Sequence, residues 1–170
     1  MRELILLRHA KSSWKDDGLP DRDRPLAQRG AGAAKAVGAF LKRRGWLPDR
    51  VLVSPAERTR QTWALVDAGL GAKVEPVWAD GLYEAQPADL LAALRQAPDT
   101  AERVLMIGHN PGIERLAAEL AGSGSDKAGL QRLAEKFPTA ALARFEVAGA
   151  WAALAAGGAR LVEFVTPHDL

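Results

Sequence analysis

The chain has 170 residues, with 23 basic and 21 acidic side chains, a formal net charge of +2 and no cysteine. This length suits one hydrophobic core, so we predict a single domain over residues 1–170. The near balance of charge, without a dominant basic run, argues against a nucleic-acid partner. The lack of cysteine excludes a disulfide scaffold, a thiolate nucleophile and a Cys-ligated zinc site.

The sequence also argues against a membrane protein. No stretch approaches the ~20 apolar residues of a membrane-spanning helix. The apolar run near the start, Leu4–Leu7, is shorter than the roughly 7–15 apolar residues of a secretory leader. We therefore expect a cytoplasmic protein without a membrane partner.

The first elements in chain order are a strand, a long polar segment and a helix. Leu4–Leu7 is a short continuous apolar run, typical of a strand buried on both faces. Ala10–Ala27 is polar, and a segment of this length without regular structure is usually functional or mobile. From Gln28 to Arg43 the apolar residues recur at helical spacing, and Gly45 predicts the end of that helix.

The next predicted elements are a strand at Val51–Val53 and a helix that follows it directly. Ser54-Pro55-Ala56-Glu57 has the pattern of a capping box, with Ser at the N-cap and Glu at the third helical position. We expect this helix to continue to about Ala68. A strand at Val74–Trp78 and a short helix at Ala88–Leu94 are predicted after it.

The second half continues the alternation of strands and helices. Arg103–Ile107 predicts a strand that ends at Gly108-His109, and Asn110-Pro111 pairs an N-cap residue with a proline to begin a helix through Leu120. The remaining predicted elements are a short helix at Leu130–Glu135, a strand at Leu142–Val147, a helical turn or two at Trp151–Ala156 and a strand at Arg160–Val165. This alternation indicates an α/β layered domain with a mainly parallel sheet.

The unusual side chains follow the predicted strands directly. Arg8-His9 follows the first strand, Gly108-His109 follows a later one, and Ser54 follows a third and leads into the helix that carries Arg58. Such sheets bind ligands at the carboxyl ends of their strands, so we expect these residues in one pocket. A single histidine after a strand is more often structural, but two of the three histidines here occupy that position.

Together these residue types suit phosphoryl transfer. Arginines such as Arg8 and Arg58 bind phosphate oxygens through paired, charge-assisted hydrogen bonds. One imidazole acts as a nucleophile, and a second stabilises charge on the transferred group. A carboxylic acid, for which Glu84 is the candidate, protonates the leaving group if burial raises its pKa. This set needs neither a metal nor another cofactor. His168 is interpreted as a residue of the C-terminal tail.

Three motifs in this order resemble those of the histidine phosphatase superfamily. They are Leu7-Arg8-His9-Ala10, then Ser54-Pro55-Ala56-Glu57-Arg58-Thr59-Arg60-Gln61-Thr62, then Gly108-His109-Asn110-Pro111-Gly112. The short length and Arg8-His9-Ala10-Lys11-Ser12-Ser13-Trp14 are similar to the SixA-like branch of phosphohistidine phosphatases. Asp23-Arg24-Pro25-Leu26 and Lys136-Phe137-Pro138-Thr139 fit that branch as well.

The resemblance implies a three-layer α/β/α sandwich of the phosphoglycerate mutase type. It implies that His9 is the phosphorylated nucleophile and that Arg8, Arg58 and His109 complete the phosphate pocket. Glu84 stands near the place where the broader family carries its proton donor. The chain has little room for the insertions that cap the active site in larger members.

Several functions stay open at this point. The first is hydrolysis of phosphohistidine on a protein through a phosphohistidine intermediate on His9, and the second is hydrolysis of a small phosphate monoester such as a sugar or nucleotide phosphate. The third is a non-catalytic module that binds phosphoproteins. A metal hydrolase is the least favoured, because two histidines at distant strand ends lack the usual cluster of ligands.

Overall fold

One six-stranded sheet organises the fold, and the computed structural model describes all residues from 1 to 170. The strands are β1 (Arg2–Arg8), β2 (Arg50–Val53), β3 (Val77–Trp78), β4 (Arg103–Gly108), β5 (Leu142–Val147) and β6 (Ala159–Val165). Their order across the sheet is β3-β2-β4-β1-β5-β6. Strands β3, β2, β4 and β1 run parallel to one another, whereas β5 is antiparallel to both β1 and β6. The prediction of a mainly parallel sheet is therefore confirmed.

Helices cover both faces of the sheet, which gives the predicted three layers. They are α1 (Gln28–Arg44), α2 (Glu57–Leu70), α3 (Pro87–Arg95), α4 (Gly112–Leu120) and α5 (Lys127–Glu135). Alternate residues of β1 point to opposite faces, so Ile5 and Leu7 pack with α1 and α2, whereas Leu4 and Leu6 pack with α3, α4 and α5. None of the five helices combines the length and apolar character that crossing a bilayer requires.

Most predicted elements are present within one to three residues of their predicted bounds. The strand Leu142–Val147 is present as predicted, and the first long helix extends one residue further, to Arg44. Gly45 ends it with φ of +69°, a left-handed backbone that glycine adopts without steric cost. The polar segment Ala10–Ala27 contains a single 3₁₀ turn, Asp21–Asp23, and folds back so that Ser12 pairs with Leu26.

The strand predicted at Val74–Trp78 is wrong in extent. Only Val77 and Trp78 pair with β2, and both side chains are exposed at the edge of the sheet. Pro76 precedes them and has no N–H to donate, so the ladder cannot extend through it. Likewise, the helical turn predicted at Trp151–Ala156 is only a 3₁₀ turn, Trp151–Ala153.

Both predicted helix starts next to the site need correction. Helix α2 begins at Glu57 after Ala56, without a side-chain cap, so the capping box at Ser54 does not form. The Ser54 hydroxyl is instead directed to His109. Helix α4 begins two residues after Asn110, although the Asn110 Oδ1 still accepts a hydrogen bond from the Glu114 backbone N–H at 3.3 Å.

Candidate active site

The three motifs meet at the carboxyl ends of three adjacent strands, as the sequence predicts. Strand β1 lies beside β4 with Arg8 opposite Gly108, and the His9 N–H donates to the Gly108 carbonyl at 3.1 Å. Strand β2 lies on the other side of β4, and the Ser54 N–H donates to the Ile107 carbonyl at 3.1 Å. This register places the rings of His9 and His109 with their centroids 5.3 Å apart.

The His9 imidazole is held in one tautomer by the backbone carbonyl of the next residue, Ala10. Its Nδ1 lies 2.7 Å from the carbonyl oxygen of Ala10, which only accepts hydrogen bonds, so Nδ1 carries the hydrogen and Nε2 carries the lone pair. The side chain is 93% buried, with 7% of its surface exposed. An imidazole nitrogen with a free lone pair is the form that attacks an electrophile.

Ala140 fixes the backbone beneath His9. Its N–H lies 3.1 Å from the Arg8 carbonyl and 3.0 Å from the His9 carbonyl, so it donates to both. Ala140 has φ of +62°, in the left-handed region that residues with a side chain seldom adopt. Such strain is found where surrounding contacts impose the conformation, often at functional sites.

His109 is oriented by Ser54 at the end of β2. The Ser54 Oγ lies 2.7 Å from the His109 Nε2 and accepts a longer hydrogen bond, of 3.4 Å, from the Ala56 N–H. When the hydroxyl donates its hydrogen to Nε2, the hydrogen of the neutral ring is on Nδ1. Nδ1 is buried and has no partner within the protein, so in this tautomer it is a donor that an anionic oxygen would satisfy.

Arg8 lies between the carboxyl end of β1 and the segment before β5. Its Nη1 donates to the Phe137 carbonyl at 3.0 Å, while its Nε is buried without a protein partner. Burial lowers the pKa of Arg8 from its ordinary value, and the nearby charge of Arg58 acts in the same direction. Two guanidinium groups in one pocket favour an anion between them.

Arg58, on the first turn of α2, contacts the polar segment that follows β1. Its Nη1 donates to the Asp21 carbonyl at 2.8 Å and its Nη2 to the Asp21 Oδ2 at 3.1 Å. The Tyr83 hydroxyl donates to the same carboxylate oxygen at 2.6 Å. This hydrogen bond, with help from the charge of Arg58, lowers the pKa of Asp21 to about 2, so the carboxylate is ionised at neutral pH.

The structure brings four of the five predicted site residues into one cluster. The positive charges of Arg8 and Arg58 both act on His9 and on His109. Glu84 stands apart from them: its side chain is exposed, and its backbone φ is +55°. It follows Tyr83, whose ring packs edge-on against His109 at 5.6 Å. Glu84 is therefore exposed to solvent rather than buried in the pocket.

Sequence reasoning missed four further residues of this cluster, namely Asp21, Ser54 as the partner of His109, Tyr83 and Ala140. Ser54 was expected at the pocket as a strand-end residue and as a helix cap, but not as the partner of His109, and Asp21 lies in a segment without a periodic pattern. The one indication was the length of Ala10–Ala27, which favoured a functional role without naming a residue. No group of three or more His, Cys, Asp or Glu side chains is placed to hold a metal ion.

Burial makes both pocket histidines neutral at pH 7. It lowers the pKa of His9 to about 4 and the pKa of His109 to about 3, and the charges of Arg58 and Arg8 act in the same direction on both. The hydrogen bond from His9 to the Ala10 carbonyl opposes this shift of the His9 pKa only in part. In the unfolded chain both groups have pKa values near 6.5.

The free energy of unfolding is expected to fall as the pH is lowered from about 6.5 to about 4. In that window the two imidazoles bind protons in the unfolded chain but stay neutral in the folded pocket. Proton binding therefore favours the unfolded state by linkage. Thermal unfolding between pH 7 and pH 4 measures this slope. The double variant H9Q/H109Q is expected to have a flatter slope. A slope as steep as that of the wild type would show that these two histidines do not titrate as stated.

Comparison with known proteins points to one family. Residues 4–102 match the sequence model of the histidine phosphatase superfamily (branch 1). An uncharacterised protein of Mycobacterium tuberculosis is 41% identical over 163 residues, which are 95% of this chain and 100% of that protein.

Solved structures show the same fold. A structure from Nakamurella multipartitia, provisionally assigned as the phosphohistidine phosphatase SixA, is 34% identical with a TM-score of 0.84 and covers 98% of this chain and 96% of its own. The structure of the protein histidine phosphatase SixA in complex with tungstate is 22% identical, with a TM-score of 0.80, over 98% of each chain. The three-layer arrangement is therefore shared with this group of structures.

Proposed function

Because this chain belongs to the histidine phosphatase superfamily and is a phosphatase, we propose that its substrate is phosphohistidine carried by a protein. The Nakamurella multipartitia structure, similar over nearly the whole chain, is provisionally assigned to that activity. The contacts of the pocket residues support a role for each in the reaction.

His9 is the nucleophile in the proposed reaction. Its Nε2 lone pair attacks the phosphorus atom while the P–N bond to the substrate imidazole breaks, and the departing imidazole nitrogen takes a proton from solvent. Water then attacks the phosphoryl group on Nε2, which releases inorganic phosphate, returns the lone pair to His9 and gives a proton to solvent. The hydrogen bond from Nδ1 to the Ala10 carbonyl (2.7 Å) supports Nε2 as the attacking atom.

Arg8, Arg58 and His109 bind the phosphoryl oxygens in this proposal. Each has a buried nitrogen without a protein partner, at Nε of the two arginines and at Nδ1 of the histidine. In this proposal the hydrogen of the neutral His109 ring is on Nδ1. Charge spreads over the equatorial oxygens of the transferred phosphoryl group in the transition state, so donors held in place in a buried pocket stabilise it.

The observation that carries the substrate assignment is that none of the acidic side chains beside the pocket is buried. Asp21 has a pKa of about 2 and cannot donate a proton at neutral pH, and Glu84 is exposed rather than buried. An alkoxide leaving group needs a proton from an acid in place. An imidazole leaving group is protonated readily by solvent, so a pocket without a buried acid suits a P–N bond better than an alkyl phosphate.

The proposal is tested by phosphate release from a panel of substrates with a chelator present. The panel pairs a chemically phosphorylated histidine peptide with sugar phosphates and nucleotide monophosphates, at matched concentrations. We expect release from the phosphohistidine peptide to exceed release from every monoester by at least about 10²-fold in kcat/KM. Faster turnover of a monoester would contradict the substrate assignment and leave the phosphatase chemistry in place.

Glu84→Gln is expected to impair hydrolysis of alkyl phosphates more than hydrolysis of phosphohistidine. Because Glu84 is exposed, we expect a loss of about two- to threefold on alkyl phosphates and none on phosphohistidine, rather than the roughly 10²-fold loss typical of a buried general acid. The ratio of kcat values for the two substrate classes measures this difference. Glu75→Gln, an exposed glutamate before β3, is the matched control. Equal defects on both classes would contradict the leaving-group argument.

A further inference from the structure

Beside Arg8 lies a second cavity, of about 460 Å³, that the proposed reaction does not use. Its wall carries Arg8, Lys11, Arg29, Lys136 and His168, with no aspartate or glutamate. We call it the basic cavity. Neither His9, Arg58 nor His109 lines it, so Arg8 alone belongs to both the basic cavity and the phosphate pocket.

The cations of the basic cavity form no ion pair in the chain, although the charge of Glu114 acts on Arg8. The ion pairs of the molecule involve arginines elsewhere, such as Arg44 with Glu163, Arg103 with Glu3 and Arg160 with Glu146. Lys11, Arg29 and Lys136 take part in none of them. Asp169, which follows His168, is already paired with Arg132. Like charges gathered on one wall repel each other, and an anionic ligand would relieve that repulsion.

Close packing of the backbone holds two of these cations together. The Ala27 N–H donates to the Lys11 carbonyl at 2.9 Å, at the start of α1. A Cβ at Gly30 would lie 2.1 Å from the same carbonyl oxygen, so only glycine allows this approach. Lys11 and Arg29 are thereby placed at the first turn of α1, whose N-terminal dipole end adds positive potential.

The third cation is fixed relative to the phosphate pocket. The Phe137 carbonyl, next to Lys136, accepts from the Arg8 Nη1 and from the Asn110 Nδ2, both at 3.0 Å. The segment that carries Lys136 is therefore tied to a residue of the phosphate pocket. A ligand in the basic cavity is adjacent to whatever the phosphate pocket binds.

We propose that the basic cavity docks an acidic segment of the phosphoprotein substrate, next to its phosphorylated side chain. This inference rests on the proposed function, because the docked segment belongs to the same phosphoprotein whose phosphoryl group enters the phosphate pocket. The side chains of Lys11, Arg29, Lys136 and His168 are exposed, so they recognise charge over an area rather than one rigidly bound anion. The volume lies within the roughly 300–1,000 Å³ typical of ligand pockets and accommodates several carboxylate groups.

Two phosphohistidine peptides of equal length test the docking site, one with four glutamates flanking the phosphohistidine and one with four glutamines. Each exposed ion pair changes affinity by a factor of roughly 1.5 to 5, so two or three pairs give about a tenfold preference for the glutamate peptide. We expect this preference in kcat/KM to arise through KM and to weaken with added salt.

The double variant R29E/K136E is expected to abolish this preference and to leave kcat on the glutamine peptide unchanged. K42E/R43E, which reverses two exposed charges near the other end of α1 and so changes the net charge equally, is the matched control and is expected to keep the preference. Equal kcat/KM for the two peptides in the wild type would overturn the inference. Equal effects of K42E/R43E and R29E/K136E would overturn it as well, because net charge would then explain the preference.

A binding measurement separates failure of the docking site from failure of the proposed function. Fluorescence anisotropy with a labelled, unphosphorylated glutamate peptide reports docking without any chemistry. Binding lost in R29E/K136E but kept in K42E/R43E supports the basic cavity even if neither phosphopeptide is hydrolysed. No binding to the wild type, together with brisk hydrolysis of both phosphopeptides, would overturn the docking site and leave the proposed function standing.

Discussion

His9→Ala is expected to lower phosphate release by roughly 10⁴-fold or more, because the methyl group has no lone pair to attack phosphorus. The fold is expected to persist, since the side-chain hydrogen bond of His9 goes only to its neighbour Ala10. Steady-state release measures the rate. Acid quenching of a reaction with a radiolabelled phosphoryl donor measures the covalent intermediate, which we expect in the wild type and not in the variant.

His9→Gln separates the nucleophile from the polarity of the side chain. Glutamine retains a polar group of similar length but has no basic nitrogen, so we expect the same loss of activity and of the labelled intermediate. Far-ultraviolet circular dichroism and thermal unfolding of both variants verify that the fold is intact. Activity above about 1% of wild type in a folded variant would remove His9 from the centre of the mechanism.

Arg58→Lys is expected to lower kcat/KM by roughly 10²- to 10³-fold, the usual cost of losing one preorganised donor to a developing charge. Asp21 engages two of the five N–H groups of Arg58, and the buried Nε–H has no protein partner. A lysine ammonium in this place retains the charge but cannot hold Asp21 and a phosphate oxygen in one plane. Initial rates over a range of substrate concentrations measure the loss.

Arg60→Lys is the matched control for this substitution. Arg60 lies two residues along α2, is exposed, and has its guanidinium carbon 4.6 Å from the centre of the Trp78 ring. We expect its replacement to change kcat/KM by less than about threefold, as for an ordinary surface exchange. If both lysine variants had near-normal rates, Arg58 would not contact the phosphoryl group.

In the proposed reaction, the Asp21 carboxylate competes with the phosphoryl group of the substrate for Arg58. Its ionised carboxylate accepts from Arg58 and Tyr83, and its backbone carbonyl accepts from the Arg58 Nη1. A phosphate dianion that enters beside Arg58 meets this negative charge. The backbone contact is independent of the carboxylate, so Arg58 keeps one anchor if the Asp21 side chain moves aside.

The convergence of the motifs was predictable from the sequence, because it follows from general rules of chain topology. Short, continuous apolar runs marked β1, β2 and β4 as buried strands. Parallel strands joined by helices place their carboxyl ends at one edge of the sheet. The residues directly after those runs, including His9 and His109, therefore lie at the same end of the sheet, and the strand order β2-β4-β1 makes them neighbours.

The contacts that orient the pocket were not predictable in the same way. The Ser54 hydroxyl satisfied the local pattern of a helix cap but is bonded to His109, which is 55 positions away. Asp21 and Arg58 are 37 positions apart and belong to no common periodic pattern. A local sequence pattern does not predict which of two possible hydrogen-bond partners a side chain contacts, because the contact depends on distances that packing sets.

The sequence by itself therefore determined the family and the layered fold, and it predicted that Arg8, His9, Arg58 and His109 lie together. These depend on apolar periodicity and on motifs of adjacent residues. Only the tertiary structure decided that Glu84 is exposed, that Asp21 is ionised against Arg58, and that the cations beside Arg8 share one cavity. Burial and charge–charge distance are properties of how distant segments pack. Each changes by large amounts with shifts of a few ångströms, and no local pattern encodes shifts of that size.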